Sequence, residues 1–346
     1  MRIIYVPIES LEERYSANWN RWLPMEFEKA GIDWIMIDPK PLTTKIEQGR
    51  FLDVIATNHY KSLQVAMICE MIYSGKARAD DVYLFADIWH FGVEALAYIR
   101  DGMNLKMKIT GILHAGSYDP HDMLAQKGMG WWAKSIEEGW FRIIDKFFIA
   151  TEFHKRLLYT TRDIDPNKMV VTGHPTYYEQ QPREKENIVV FPHRLDAEKH
   201  PEMFDSMVEY LSNNPGLKDF LKCYGWKFIK SKDICKTKRQ YYDLLERSNI
   251  AVSFADQETW GNAMQEAIFA KCLPVVPNKL SYAEMYHPLF QFNSFNEACD
   301  LVHDMITSYY AEENINKETM LKNRADLLTM GENAIPNMIE ECRKLV

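Results

Sequence analysis

Nothing in these 346 residues approaches the roughly 18 to 20 consecutive apolar positions of a membrane-spanning helix. The start has no basic, apolar, small-residue pattern of a secretory leader; it opens on the strand-like Ile3-Ile-Tyr-Val6, so a cytoplasmic location without membrane attachment is expected. The six cysteines, at 69, 223, 235, 272, 299 and 342, include no Cys-x-x-Cys pair, which argues against a zinc site or a disulfide framework and leaves buried free thiols as the expectation. A basic excess is also missing. The net charge of −8 disfavours a protein that coats nucleic acid without specificity. Internal repeats and low-complexity tracts are absent.

What is present is a chain 47% hydrophobic and 26% charged, long enough for two globular domains of about 150 to 175 residues. Strand-like runs at Arg2–Pro7, Trp34–Ile37, Val82–Ala86, Lys108–Leu113, Lys146–Ala150 and Met169–Val171 alternate with helical periodicity at Asn18–Ala30, Ser62–Ser74, Gly92–Asp101, Gly130–Ile144 and Glu152–Thr160. Such alternation predicts parallel strands with crossover helices. Gly173 to Glu186 then breaks the period with Gly, Pro and charge, as a linker does. The alternation restarts with strands at Asn187–Pro192, Phe220–Gly225, Asn249–Phe254 and Pro274–Pro277. Helices are predicted at Pro201–Ser212, Arg239–Glu246, Gly261–Ala270, Phe295–Tyr310 and Lys317–Leu328. The expected organisation is an α/β chain of two Rossmann-like, doubly wound domains facing one another across a cleft, at 1–175 and 176–330. A terminal helix at 331–346 is expected to return to the first domain.

The most informative segment is Phe254-Ala-Asp-Gln-Glu258-Thr-Trp-Gly261-Asn-Ala-Met-Gln-Glu266, an acidic turn opening into a helix. Helix-start N–H groups and the positive dipole end suit a diphosphate, and carboxylates suit sugar and ribose hydroxyls. An acidic helix start also occurs for purely local reasons. About 60 residues earlier, Phe191-Pro-His-Arg194-Leu-Asp-Ala-Glu198-Lys199-His200-Pro201 places Arg194 and Lys199 at a strand-to-helix turn, where the two cations can converge on one phosphate. Together the two segments describe the groups that a nucleotide-sugar needs.

The combination Arg194-x4-Lys199, then Glu258-x7-Glu266, Ala267 and Leu273-Pro-Val-Val resembles the carboxy-terminal donor domain of GT-B glycosyltransferases, in particular the large, mostly retaining, metal-independent family. The likeness covers about Asn187 to Tyr286, with Tyr241–Ser253 and Leu280–Met285 fitting the same pattern; the first half is similar by architecture only. It implies a UDP-sugar as donor substrate, with no cofactor and no metal. Arg194 and Lys199 would neutralise the diphosphate, Glu258 would approach the transferred sugar, Glu266 would grip the ribose, and the turn Thr259, Trp260, Gly261 and Asn262 would offer backbone N–H groups. Two positions depart from the pattern, His193 and Cys272, where the family usually has glycine.

The start, Tyr5-Val-Pro-Ile-Glu9 through Arg14-Tyr15-Ser16-Ala-Asn-Trp19-Asn-Arg-Trp22, lacks the glycine-rich turn of many such enzymes. It resembles T-even-like phage enzymes that glycosylate 5-hydroxymethylcytosine in DNA, particularly the arabinosyl-transferring group. That likeness implies transfer of arabinose, or next glucose, to the hydroxymethyl group of 5-hydroxymethylcytosine in double-stranded DNA, in the host cytoplasm. Glu9, Arg14 and Tyr15 would then meet the acceptor base, since an extruded base needs stacking and polar contacts. Trp19 and Trp22, at helical spacing, also suit a core.

Asp87 and His114 each end a strand, and either can accept the proton of an attacking hydroxyl within about 3 Å. Asp87 is the preferred base, because in related GT-B enzymes the histidine often touches the donor sugar; Glu258 completes the catalytic candidates. In a retaining reaction the leaving phosphate can take the proton instead. Gly128-Met-Gly130-Trp131-Trp132 reads as a hinged acceptor lid or a loop packed by two indoles. Asp163-Ile-Asp165 lies in a turn beside Pro166 and is not expected to hold metal. Between Lys222 and Arg247, eight basic residues against three acidic ones offer a polyanion contact or a solvated face. The remaining alternatives are a lipid, polysaccharide, protein or tRNA acceptor, and a noncatalytic nucleotide-sugar or nucleic-acid-binding module.

Overall fold

The computed structural model describes residues 1–11, 15–43, 53–311 and 313–346, in two compact units. Unit 1 comprises Met1–Pro175 and Glu332–Val346; unit 2 comprises Thr176–Gly331.

Unit 1 is a six-stranded, all-parallel sheet of β1 (Arg2–Val6), β2 (Asp33–Met36), β3 (Asp81–Phe85), β4 (Lys108–Ile112), β5 (Lys146–Ile149) and β6 (Met169–Val171), in the order β2-β1-β3-β4-β5-β6. Its helices are α1 (Tyr15–Lys29), α2 (Val54–Tyr73), α3 (Gly92–Gly102), α4 (Met123–Gln126), α5 (Gly130–Ile143) and α6 (Glu152–Thr161). Strands of a sheet covered on both faces read as unbroken apolar runs. Ile3, Ile4, Tyr5, Val82, Tyr83 and Phe85 accordingly have no exposed surface. Asp53 caps α2, accepting from the N–H groups of Ile55 and Ala56, so this helix begins eight residues before the expected Ser62.

Unit 2 holds β7 (Ile188–Phe191), β8 (Lys227–Lys230), β9 (Ile250–Val252), β10 (Leu273–Pro277) and β11 (Gln291–Phe292), also all parallel, in the order β11-β10-β9-β7-β8. Around them run α7 (Pro201–Asn213), α8 (Pro215–Tyr224), α9 (Ser231–Ile234), α10 (Lys238–Arg247), α11 (Asn262–Phe269), α12 (Tyr282–Met285) and α13 (Phe295–Thr307); α14 (Ile315–Arg343) begins in this unit, and its residues from Glu332 belong to unit 1.

Three expectations are corrected. Phe220–Gly225 is not a strand but the end of α8. Asn214 caps Gly216 N–H at 2.9 Å, Pro215 starts the helix, Leu217 and Leu221 bury one face, and Gly225 stops it at φ +65°. The strand follows at Lys227. The predicted helices 317–328 and 331–346 are one helix, α14, because Met320, Leu327, Ala334, Met338 and Cys342 keep a helical period through Pro336. Of the cysteines, Cys272, Cys299 and Cys342 are buried, but Cys69 and Cys223 are exposed and Cys235 is intermediate. Helical Cys69 and Cys223 sit on faces turned from the core.

Candidate functional site

In unit 2 the chain passes from β7 to β8 on one side and returns to β9 on the other, so the strand order reverses between β7 and β9. Open α/β sheets bind ligands at that reversal, beyond the carboxyl ends of the strands. The two segments singled out in the sequence are the loops that leave these two strands. The first loop tightens into a 3₁₀ turn at Ala197–Lys199, passes His200 at φ +53°, and enters α7 at Pro201. The second reaches Gly261 at φ +72° and opens into α11. A β-carbon on Gly261 would lie 2.7 Å from the Tyr282 ring, so both conformation and space demand glycine there.

The loops are stitched together. Asp256 N–H donates to Glu198 O at 2.8 Å, and His200 Nε2 sits 2.5 Å from Asp256 Oδ2. Lys279 also pairs with Asp256. Lys199 is buried and its ammonium lies 2.9 Å from Glu258 Oε1 while donating also to the Gln257 carbonyl. His193 approaches the same carboxylate oxygen, Nδ1 to Oε1 3.8 Å. Lys199 and Glu258 are thus in direct contact. Arg194, five residues before Lys199, has other partners. It is about half exposed and pairs with Asp196 at 2.5 Å and Glu198 at 3.3 Å, because the 3₁₀ turn rotates Lys199 inward and leaves Arg194 on the rim.

Glu266 lies in α11, its carboxyl end enclosed by Tyr241 and Tyr242; the Tyr242 hydroxyl donates to it at 2.8 Å. Burial raises its pKa, against the opposing pull of that hydrogen bond and of Lys238. Trp260 is buried with its indole N–H on Thr176 Oγ1 at 3.2 Å; Thr259 is intermediate and Asn262 is exposed at the first position of α11. Among the described residues of this unit, His193 Nε2, Gln265 Oε1, Ser281 Oγ and Tyr286 OH are buried without a hydrogen-bond partner. A buried polar atom of this kind calls for a water, an ion or a ligand to complete its bonding.

The His200 pKa is raised, chiefly by its hydrogen bond to Asp256, against burial and with help from Glu202. A histidine raised above its unfolded value of about 6.5 contributes stability that is complete below that pH and is lost as pH rises through the folded value. An NMR titration of the ring is expected to show the elevated midpoint in the native chain and its return toward the ordinary value in Asp256→Asn. An unshifted midpoint in the native chain would show that the pairing does not hold in solution.

Unit 1 has the same reversal, between β1 and β3. Glu9 follows β1 and is buried. Its Oε1 accepts from the Thr57 hydroxyl, and its Oε2 has no hydrogen-bond partner among the described residues. Asp87 follows β3 and accepts from Trp89 N–H at 3.0 Å. His114 follows β4 and lies 2.7 Å from the Ala86 carbonyl, which fixes the proton on Nε2. Burial lowers its pKa against the pull of the Asp87 charge, so the ring is a neutral imidazole, packed on Trp19 and His174.

Arg14 lies outside the described residues, and Tyr15 begins α1. Trp19 and Trp22 are core residues, 3% and 5% exposed. Trp131 and Trp132 belong to the first turn of α5: Trp131 is 84% exposed, whereas Trp132 meets Trp89 edge to face. The loop after His114 is tied down. Glu137, buried, accepts from Ser117 N–H at 2.6 Å, Ser117 Oγ at 2.9 Å and Arg162 Nε at 2.8 Å. No local sequence signal joins Ser117, Glu137 and Arg162, and that constellation was not legible in advance.

Asp163 pairs with Arg142, and Asp165 caps Asn167 N–H. Among the described residues no group of three or more His, Cys, Asp or Glu could hold a metal ion, and no helix is long and apolar enough to cross a membrane.

No family model matches the chain. Its fold is that of solved glycosyltransferases of the GT-B type. Sucrose-phosphate synthase from Thermosynechococcus elongatus superposes with a TM-score of 0.70 at 12% identity, covering 100% of this chain and 99% of that one. The lipopolysaccharide outer core galactosyltransferase WaaB gives 0.62 at 11% identity over 98% and 100%. The α,α-trehalose 6-phosphate synthase of Burkholderia multivorans gives 0.61 at 11% identity over 99% and 96%. In sequence, the tRNA-queuosine alpha-mannosyltransferase of Drosophila melanogaster is 41% identical over 59 residues, a stretch that spans 17% of this chain and 16% of that protein. The chain has the GT-B fold, with two Rossmann-like units.

Proposed function

We propose that this chain transfers a sugar from a UDP-sugar to a hydroxyl of a modified nucleoside in nucleic acid, with arabinose and the hydroxymethyl group of 5-hydroxymethylcytosine in double-stranded DNA as the first pair. The observation that carries the donor half is the buried Lys199–Glu258 contact at the β7/β9 reversal. An ammonium has three N–H donors. Two are engaged by Glu258 and the Gln257 carbonyl, and the third is available to a diphosphate oxygen. The second Glu258 oxygen then accepts from hydroxyls of the transferred sugar, α11 offers the N–H groups of Asn262 and Ala263, ahead of Met264, whose N–H is taken by the Gly261 carbonyl, and Glu266 accepts from the ribose. Arg194 meets the diphosphate from the rim. The leaving phosphate, with this charge compensation, takes the proton of the attacking hydroxyl, which is the retaining course; Asp87 is the alternative base.

The acceptor half is supported by the resemblance of residues 5–22 to the phage DNA enzymes and by groups suited to an extruded base, Glu9 and the exposed indole of Trp131. Part of the basic stretch also remains presented to solvent. Lys222, Lys232, Lys236 and Arg239 are exposed, whereas Lys230 pairs with Asp205 and Arg247 with Glu186. Phosphate backbones are held by such cations, with affinity that falls steeply with salt.

A second reading, transfer of mannose to a tRNA nucleoside, is favoured by the 59-residue likeness to the tRNA enzyme. One assay separates the two. UDP-arabinose, UDP-glucose and GDP-mannose are each supplied with hydroxymethylated DNA, plain DNA and tRNA, and digested nucleosides are weighed by mass spectrometry. A pentose increment on hydroxymethylcytosine alone is the expected product. A hexose on a tRNA nucleoside selects the second reading, and no nucleic-acid product with any donor rejects both.

A further inference from the structure

We infer that His193 reads the transferred sugar, its Nε2 accepting a hydrogen bond from a sugar hydroxyl while Glu258 sets the orientation of the ring. The inference rests on the nucleotide-sugar reading above and adds a residue to it that the family resemblance does not supply, since glycine is usual at this position.

His193 stands two residues beyond β7, directly before Arg194, and is 2% exposed. Its ring packs edge to face with Phe191, centroids 5.3 Å apart, which limits how far the imidazole can turn. Nδ1 lies 3.8 Å from Glu258 Oε1, beyond hydrogen-bond length but close enough for the carboxylate charge to bias the tautomer. Nε2 has no partner among the described residues. Burial, with the charges of Lys199 and Arg194, keeps the imidazole neutral.

A neutral imidazole carries one proton. Glu258 accepts only, so the proton is favoured on Nδ1, where it faces the carboxylate, and Nε2 keeps its lone pair. That choice decides what Nε2 can bind. A phosphate oxygen also only accepts and leaves the lone pair unsatisfied; a sugar hydroxyl donates and satisfies it. With Glu258 addressing the same sugar, the two side chains form one recognition unit, in which the family's glycine would leave a gap. A buried polar group left unpaired by the wrong ligand discriminates more sharply than an apolar wall does.

The test is calorimetric binding of UDP, UDP-arabinose and UDP-glucose to the native chain, His193→Ala and His193→Gln, with thermal melting of each. In His193→Ala the expected result is UDP binding unchanged within about twofold and a loss of about tenfold for the preferred UDP-sugar, the size of one hydrogen bond to a buried group. In His193→Gln, whose amide oxygen can stand where Nε2 does, most of that affinity returns. Equal loss for UDP and UDP-sugar overturns the inference and moves the imidazole to the diphosphate or to a loop-holding role; no loss for either overturns it as well and leaves the imidazole out of donor binding. A native chain that binds none of the three nucleotides instead overturns the nucleotide-sugar reading itself.

Discussion

Glu258→Ala and Lys199→Ala are each expected to reduce kcat/KM for sugar transfer by about 100- to 1,000-fold, the range seen when one preorganised electrostatic contact is removed from a reaction centre. The two residues share one contact of 2.9 Å in a buried setting, so they act as a unit. The double variant should therefore lose little more than either single one, since effects within a coupled pair do not add. Glu258→Ala leaves the Lys199 ammonium on the Gln257 carbonyl, and Lys199→Ala leaves Glu258 partly exposed, so both chains should fold. Steady-state kinetics with calorimetric melting checks this. Full transfer by both variants would remove these residues from the donor site.

The largest effect on stability is expected from Glu137→Ala. Arg162 and Glu137 are 6% and 1% exposed as side chains, and the carboxylate also holds both Ser117 donors. Removing one member strands a buried guanidinium, which costs about 3–5 kcal/mol. For a unit of this size each kcal/mol moves the melting temperature by roughly 2–4 °C, so a fall of about 6–20 °C is expected by scanning calorimetry. Replacing both partners by methionine should recover much of it, because the stranded charge is then gone. A loss under about 1 kcal/mol in Glu137→Ala would mean that water reaches the pair. Gly116 is pressed against this site, with a β-carbon there only 2.6 Å from Glu137 Oε1 and the Tyr118 ring. The ion pair thus fixes the course of the chain just after His114.

The alternation of strands and helices was legible because parallel strands covered on both faces are continuous apolar runs, and Ile3–Val6 or Ile188–Phe191 can hardly be anything else. The acidic turn was legible because its glycine and its carboxylates sit close together in sequence. Phe220–Gly225 misled because two aromatics in a short apolar run suggest a strand; the helix is dictated by Asn214-Pro215 before that run and by Gly225 at its end. The spacing of Arg194 and Lys199 does not encode the direction of either side chain, which depends on a single turn of 3₁₀ geometry. His193 registered only as a departure from a family pattern, since its placement beside Glu258 depends on two loops 65 residues apart. The Ser117–Glu137–Arg162 group is harder still: its members come from a loop, a helix and a helix end, and only tertiary packing unites them.

Unit 1 owns both the first residues of the chain and the last fifteen, Glu332–Val346. A ribosome therefore delivers all of Thr176–Gly331 before it delivers Ala334, Ile335, Met338, Ile339 and Cys342, every one of them buried in the finished protein. Domains emerging in order tend to fold as units. Here the later one is complete first, and the earlier sheet must wait, with Thr110 and Lys146 lacking their Cys342 and Glu341 neighbours, until Glu332–Val346 has emerged.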